Sequence, residues 1–480
     1  MSNSLYRAFI AISLFIFCGA CSNVLDKDPL GRLDADSFFK TTDDALQVVN
    51  MAYRPLLFSN ANNNFYWAFG TLASEEAIVG GDGSRPGLVE IDALTHTPAT
   101  QEFNDFWKLS YAGIVQANTV ISKIKLLPDD SPLKARITGE ALFLRAWYHF
   151  VLAQVFGDIP LILELQDPDE VRIPRTQRDV VLLQVAEDCR IAADLLPVAY
   201  TASDLGRATK GAALALRAKA FLYLESWNQT LDAIAEIKSI GIYALQEDYR
   251  NNLYDSTQNN SESVWEIQHA NLELGVGNNL NQYWASNKIP DGYGFAEVTA
   301  AFANAFEPGD PRLRFTVARH NEEYFGYVYK ASFSSTGMSP RKFLQHVNAV
   351  SQKSDGAVNY PAIRYAEVLL WEAEALAELG RTAEALVPLE EVRARARGQA
   401  ANPETTLPEI TTTDKNELID LIRHERLVEL GFELHRFFDL VRWGIADTVL
   451  PGFVKGKHEY FPIPQAELDL NPMLTQNPGY

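Results

Sequence analysis

Two stretches of this chain join flat aromatic faces to side-chain amides. One is Asn60-Ala-Asn-Asn-Asn-Phe-Tyr-Trp67; the other is Asn281-Gln-Tyr-Trp-Ala-Ser-Asn287, followed by Asp291-Gly-Tyr293. Sugar capture needs this mixture: pyranose C–H surfaces lie on aromatic rings, while a few amides and carboxylates take the hydroxyls and fix orientation. Tyr66, Trp67, Tyr283, Trp284 and Tyr293 are therefore the candidate ligand-binding residues. Trp67 and Trp284 have a competing role, that of pinning their loops to the core.

Residue types that catalyse reactions are present without the spacing catalysis needs. His424-Glu425 has no second His four residues after the first, which a zinc-protease helix requires. Ser131-Pro-Leu-Lys134 and Ser339-Pro-Arg-Lys342 both fit Ser-x-x-Lys, a pattern that means little without its companion motifs. Neither a Gly-x-x-x-x-Gly-Lys loop nor an Asp-x-Asp-x-Asp-Gly calcium loop occurs. Glycoside hydrolysis uses two carboxylates ~5–10 Å apart. With 62 acids in the chain, neighbours such as Glu75-Glu76 are expected by chance. Arg145, Asp158 and the charged set from Glu425 to Arg442 read as hydrogen-bonded pairs linking helices. These observations point to a binding protein with no catalytic residue, no metal site and no cofactor.

The N-terminus carries a targeting pattern. Arg7 precedes an apolar run, residues 8–17, that is too short to remain as a membrane-spanning helix. Gly19-Ala20-Cys21 follows and resembles a bacterial lipobox, whose Cys is acylated and becomes the new N-terminus; Cys18 stands where Leu is usual. Cys21 is thus the expected lipidation site, anchoring the protein to a membrane leaflet through its acyl chains. The alternative is a plain secretory signal. Cys189 lies in a helical pattern and is expected to fill core space. The formal charge of −20, with no basic stripe, argues against nucleic acid as a partner.

The elements that must position these residues are mostly helical. Runs at 103–127, 132–156, 177–196 and 207–239 carry apolar residues at helical spacing, the fourth split near Ser226-Trp227-Asn228. In the second run Ile137, Ala141, Leu144, Tyr148, Leu152 and Val155 form one stripe, stopped by Gly157 and Pro160. From about 240 to 360 the periodicity fades and Asn, Ser, Gly and Tyr abound, predicting loops with short strands at 263–269 and 327–333. Helices return at 361. Gly380 ends the first, Thr382 can cap the next, and Pro388 should kink that helix or delay its start. A last helix is predicted over 415–443, with Leu427, Leu430, Leu434, Phe437 and Val441 on one face. The fold class is all-α: tetratricopeptide-like hairpins with a loop-rich ligand-binding face and a few short strands. The expected organisation is a signal peptide at 1–20, a tether at 21–36, an N-terminal helical region at 37–240 and a C-terminal region at 241–480, the last two forming one compact unit.

Four segments carry a family resemblance: Cys21-Ser-Asn-Val-Leu-Asp-Lys-Asp-Pro29 with Gly31-Arg-Leu; Arg145-Ala-Trp-Tyr-His-Phe through Gly157-Asp-Ile-Pro160; Glu425-Arg-Leu-Val-Glu-Leu-Gly through Val441-Arg-Trp-Gly444; and Phe461-Pro-Ile-Pro464 with Asp469-Leu-Asn-Pro472 and Gln476-Asn-Pro-Gly-Tyr480. Glu307-Pro-Gly-Asp-Pro-Arg312 and Ala366-Glu-Val-Leu-Leu-Trp-Glu-Ala-Glu374 add to it. In this order the chain resembles the SusD/RagB family of bacterial surface lipoproteins. The resemblance implies one α-rich unit on the outer membrane, facing the exterior. It would bind a nutrient, usually a glycan and sometimes a peptide, and deliver it to a SusC-like TonB-dependent transporter. A peptide-binding uptake lipoprotein, which the acidic surface would suit for cationic peptides, and a surface glycan hydrolase are the alternatives.

Overall fold

The computed structural model describes residues 39–128, 130–166 and 172–480; Cys21, the signal peptide and the tether lie outside them. α1 (Thr42–Tyr53) opens on a capping box. The Thr41 hydroxyl accepts the Asp44 N–H at 3.2 Å, and the Asp44 carboxylate accepts the Thr41 N–H at 2.8 Å. Then come α2 (Gln101–Lys123), α3 (Pro132–Phe156), α4 (Arg178–Leu195), α5 (Lys210–Tyr223) and α6 (Trp227–Ile240). Each packs on the next, and α6 packs on α7 (Tyr365–Glu378) across the loop-rich region. α8 (Thr382–Gly398) and α9 (Lys415–Leu430) pack on α7 in turn. This is the predicted all-α architecture of stacked helix pairs.

α3 lies at the centre. Ser131 caps it by accepting the Lys134 N–H at 3.3 Å, Pro132 occupies the first turn, and Gly157 at φ +73° ends it. Every residue from Ala141 to Phe156 is buried, so the helix is enclosed on all sides rather than along one stripe. Its polar groups are matched inside. The Arg145 guanidinium forms a two-pronged pair with Asp188 of α4, both bonds 2.7 Å. Asp158 instead accepts the Arg178 N–H at 2.8 Å and caps α4. Cys189 is buried, and burial pushes its thiol up.

Four short strands matter to the site: β1 (Ala77–Val79), β2 (Ser263–Ile267), β3 (Ala296–Val298) and β4 (Tyr360–Arg364). β1 pairs antiparallel with β3, and β2 with β4. The strand predicted at 327–333 is shorter: Tyr327–Val328 pairs with Glu323–Tyr324, and Ala331–Phe333 is a single 3₁₀ turn. β4 also occupies the residues where helical spacing suggested that α7 begins.

Two further expectations are corrected. Thr382 does not cap α8, because Arg381 holds that position and Thr382 is already helical; Pro388 sits buried within the helix, which starts ahead of it. The predicted helix over 415–443 is broken. α9 stops at Leu430 and α10 (Arg436–Arg442) begins after five intervening residues, with Phe432 at φ +61° and Leu434 at φ +69° among them. Tertiary contacts override the continuous apolar spacing here. The break turns Glu433 inward, where Arg364 Nε donates to it at 2.7 Å and Lys342 Nζ at 2.6 Å.

Glu433 belongs to a buried ion network that ties α9 to the loop region. Arg312 reaches Asp310 at 2.8 Å and Glu429 at 3.0 Å, and also pairs with Glu425. Arg364 reaches Glu429 at 3.0 Å and also pairs with Glu262, while Arg395 reaches Glu429 at 2.6 Å. Burial alone would raise the Glu429 carboxyl; Arg395, Arg364 and Arg312 reverse this and hold it far below the usual carboxylate range. The charged residues of the Glu425 motif are therefore internal braces.

Candidate functional site

β1 and β3 are three residues each, yet they clamp the two aromatic stretches together. Ala77 pairs with Val298 and Val79 with Ala296, and the ribbon continues as the Gly80 N–H donates to the Phe295 carbonyl at 3.1 Å. At the other end the Asn279 N–H donates to the Phe58 carbonyl at 2.7 Å. The segment before Phe295 folds back on the short helix Leu280–Trp284. The N–H groups of Tyr293, Gly294 and Phe295 donate to the carbonyls of Gln282, Ala285 and Tyr283 at 2.9, 2.8 and 2.7 Å. Glycine is required at this approach, because a Cβ on Gly292 would lie 2.1 Å from the Ser286 carbonyl oxygen.

The result is an aromatic column graded from core to solvent. Trp67 is fully buried at its base, 5.4 Å from the Tyr283 ring and 6.4 Å from the parallel Phe295 ring. Tyr283 is nearly buried and stacks on Tyr293 at 6.2 Å and 22°. Tyr293 keeps 44% of its surface exposed. Trp67 and Tyr283 hold the column, and Tyr293 presents the free ring face. Burial pushes the Tyr283 phenol up, opposed by its hydrogen bond to Asn279 and by the charge of Arg85, so the hydroxyl stays neutral.

The other two candidates point elsewhere. Tyr66 is buried between Phe106 and Phe438, and its hydroxyl donates to Gln154 Oε1 at 2.6 Å. Trp284 is fully buried against Phe343 and Phe432, each 5.4 Å away. Adjacent residues on a helical turn face different directions, so Tyr66 and Trp284 pack into the core while their neighbours build the column. The competing role of loop anchor is the one the geometry gives Trp67 and Trp284.

One polar residue escaped the sequence reading. Arg85 is partly buried, with its guanidinium 5.5 Å over the Phe65 ring, and among the described residues no carboxylate pairs with it. Its charge is felt by the Tyr283 phenol and by the Glu102 carboxyl. The signal was faint: the turn-forming run Gly80-Gly-Asp-Gly-Ser84 places Arg85 just beyond β1. Asn287 is exposed next to Tyr293 and ties down the facing loop by donating to the Gly81 carbonyl at 3.1 Å. The exposed Tyr293 ring face is thus bordered by the polar side chain of Asn287.

Glu75 and Glu76 hold no such open position. Glu75 accepts from Arg436 Nε at 2.8 Å, and burial raises the Glu76 carboxyl well above its usual range. Among the described residues, no group of three His, Cys, Asp or Glu side chains is placed to hold a metal ion.

Residues 245–458 match the SusD family, and residues 60–222 match a family described as starch-binding, associating with outer membrane. The chain belongs to the SusD/RagB family. A SusD-like protein of Formosa agariphila, P2, is 26% identical over 99% of each chain. A SusD-like carbohydrate-binding protein from Bacteroides fragilis superposes with a TM-score of 0.81 at 26% identity, covering 92% of this chain and all of its own. A laminarin-binding SusD-like protein superposes at 0.78 with 28% identity and 92% coverage of this chain. The SusD-like fold thus accounts for the helical stack, and the Tyr293 column stands on its loop-rich part.

Proposed function

We propose that this SusD-like chain is a cell-surface lipoprotein that binds an oligo- or polysaccharide without turning it over and delivers it to a SusC-like TonB-dependent transporter. The observation that carries the reading is the Tyr283–Tyr293 stack, open at Tyr293, with the charge of Arg85, which has no ion pair among the described residues, felt at the Tyr283 phenol. An open ring of this kind accepts the apolar face of a sugar anywhere along a chain, and Arg85 supplies the donors that orient it. Relatives named as carbohydrate-binding and laminarin-binding support the ligand class. The lipobox-like Gly19-Ala20-Cys21 and the family description support an acylated protein on the outer membrane, facing outward.

Affinity electrophoresis of the soluble chain, beginning after Cys21, through gels containing laminarin, starch or xylan tests the binding step. Retardation by at least one polysaccharide, lost in Tyr293→Ala, is expected. Free migration in all three gels would contradict it. Delivery is tested separately, by asking whether the tagged, acylated protein co-purifies with an outer-membrane barrel from its native membrane.

A further inference from the structure

A cavity of about 430 Å³ shares no residue with the Tyr293 surface. It lies where the α5–α6 turn, the last turn of α7, α10 and the segment at Tyr460 meet. Its size falls within the ~300–1,000 Å³ range of small-molecule sites. Tyr223, Trp227, Trp443 and Tyr460 supply its aromatic surface.

Part of the polar lining is already matched and forms a rigid back wall. Arg442 donates to Glu374 and to Asp439, each at 2.8 Å, and the Trp443 indole N–H donates to Glu374 at 2.9 Å. The rest is not. Arg423 lies 5.3 Å over the Trp443 ring; its Nε is buried and has no acceptor among the described residues, and its ion pair is a 3.5 Å contact with exposed Asp420. Glu225, also in the lining, is exposed and held at φ +53°, a strained setting for a residue other than glycine. The lining carries three arginines and four glutamates, a nearly balanced set that suits neither a polyanion nor a polycation. Aromatic walls with an idle donor and an idle acceptor suit a neutral polyhydroxylated ligand.

We propose that this cavity is a second carbohydrate site, taking a disaccharide or the end of a glycan chain, with Trp227 as the stacking face and Arg423 and Glu225 binding hydroxyls. The inference rests on the reading of the protein as a glycan binder but uses a separate set of residues. The two surfaces divide the task by shape: the open Tyr293 ring accepts the interior of a chain, and the recessed cavity accepts a terminus.

Saturation-transfer NMR on the soluble chain with laminaribiose, maltose and cellobiose tests it. At least one disaccharide should receive transfer in the wild type and in Tyr293→Ala, and lose it at least tenfold in Trp227→Ala. Arg423→Ala, which removes the weak pair with Asp420 and the contact over the Trp443 ring, serves as a second variant if Trp227→Ala fails to fold. Transfer lost in Tyr293→Ala but kept in both cavity variants overturns the second site. So does an absence of transfer to all three disaccharides. In either case, polysaccharide retention in the affinity gels reports independently whether the glycan-binding reading itself stands.

Discussion

Arg364 and Glu433 form a two-pronged ion pair inside the protein, with Nε to Oε2 at 2.7 Å and Nη2 to Oε1 at 2.9 Å. Both side chains are fully buried, and the pair joins the end of β4 to the break between α9 and α10. Removing one partner of such a pair leaves a charge uncompensated in the interior. Glu433→Gln should therefore destabilise the protein by about 3–5 kcal/mol in urea unfolding at pH 7. Arg364 and Lys342 outweigh burial and hold the Glu433 carboxyl low. Its contribution is present above the unfolded pKa of ~4.5 and is lost as pH falls toward the folded value. The gap between wild type and variant should shrink below pH ~4.5; a gap constant with pH would contradict the assignment.

His149 predicts a second pH effect at milder acidity. Its Nε2 accepts the Ile162 N–H at 3.2 Å, and its Nδ1 lies 3.0 Å from the Arg145 carbonyl, so the bonds fix a neutral ring protonated at Nδ1. Burial, then the neighbouring Arg145 charge, lowers its pKa to about 3. An unfolded histidine titrates near ~6.5, so below that pH the unfolded chain gains a proton that the folded chain refuses. Stability is whole above pH ~6.5 and should fall by roughly 1.5 kcal/mol from this residue between pH 6.5 and 5. His96, lowered to about 3, and His269, lowered to about 4, act with the same sign. His149→Gln should flatten the slope of stability against pH; an unchanged slope would remove His149 from the account.

The aromatic column separates support from contact. Trp67→Ala opens a large cavity in the core and should cost about 3–5 kcal/mol of stability. Tyr293→Ala removes a half-exposed ring and should change stability by no more than about 0.5 kcal/mol, while weakening glycan binding about 30-fold. Thermal unfolding and affinity electrophoresis on the same two variants read both effects. Equal stability losses would mean that Tyr293 is a packing residue.

On the proposed function, anchoring would depend on a single thiol, that of Cys21. In bacteria fed a labelled fatty acid, wild-type protein should carry label and sediment with outer membranes, and Cys21→Ala should do neither. Label retained in Cys21→Ala would place the anchor elsewhere.

Where local chemistry decides an element, the sequence disclosed it. Ser131, Pro132 and Gly157 mark both ends of α3, and the helix fills the predicted 132–156. The break after Leu430 was hidden because Leu434, Phe437 and Val441 continue the apolar spacing while distant Arg364 and Lys342 pull Glu433 inward. β1 and β3 were also hidden, since three-residue strands carry no periodicity and their pairing joins segments far apart in the sequence. That pairing decides which aromatics meet. Composition therefore identified the two loops, but only the fold distinguishes Tyr293, open to solvent, from Trp67 and Trp284 within the core.

Calorimetric titration of the soluble chain with oligosaccharides of four to six units, with the products then analysed, addresses the core of the account. Saturable heat with at least one glycan, intact sugar recovered afterwards and binding weakened about 30-fold in Tyr293→Ala is the expected result. Shortened sugars, or saturable heat with a cationic peptide and none with any glycan, would contradict it.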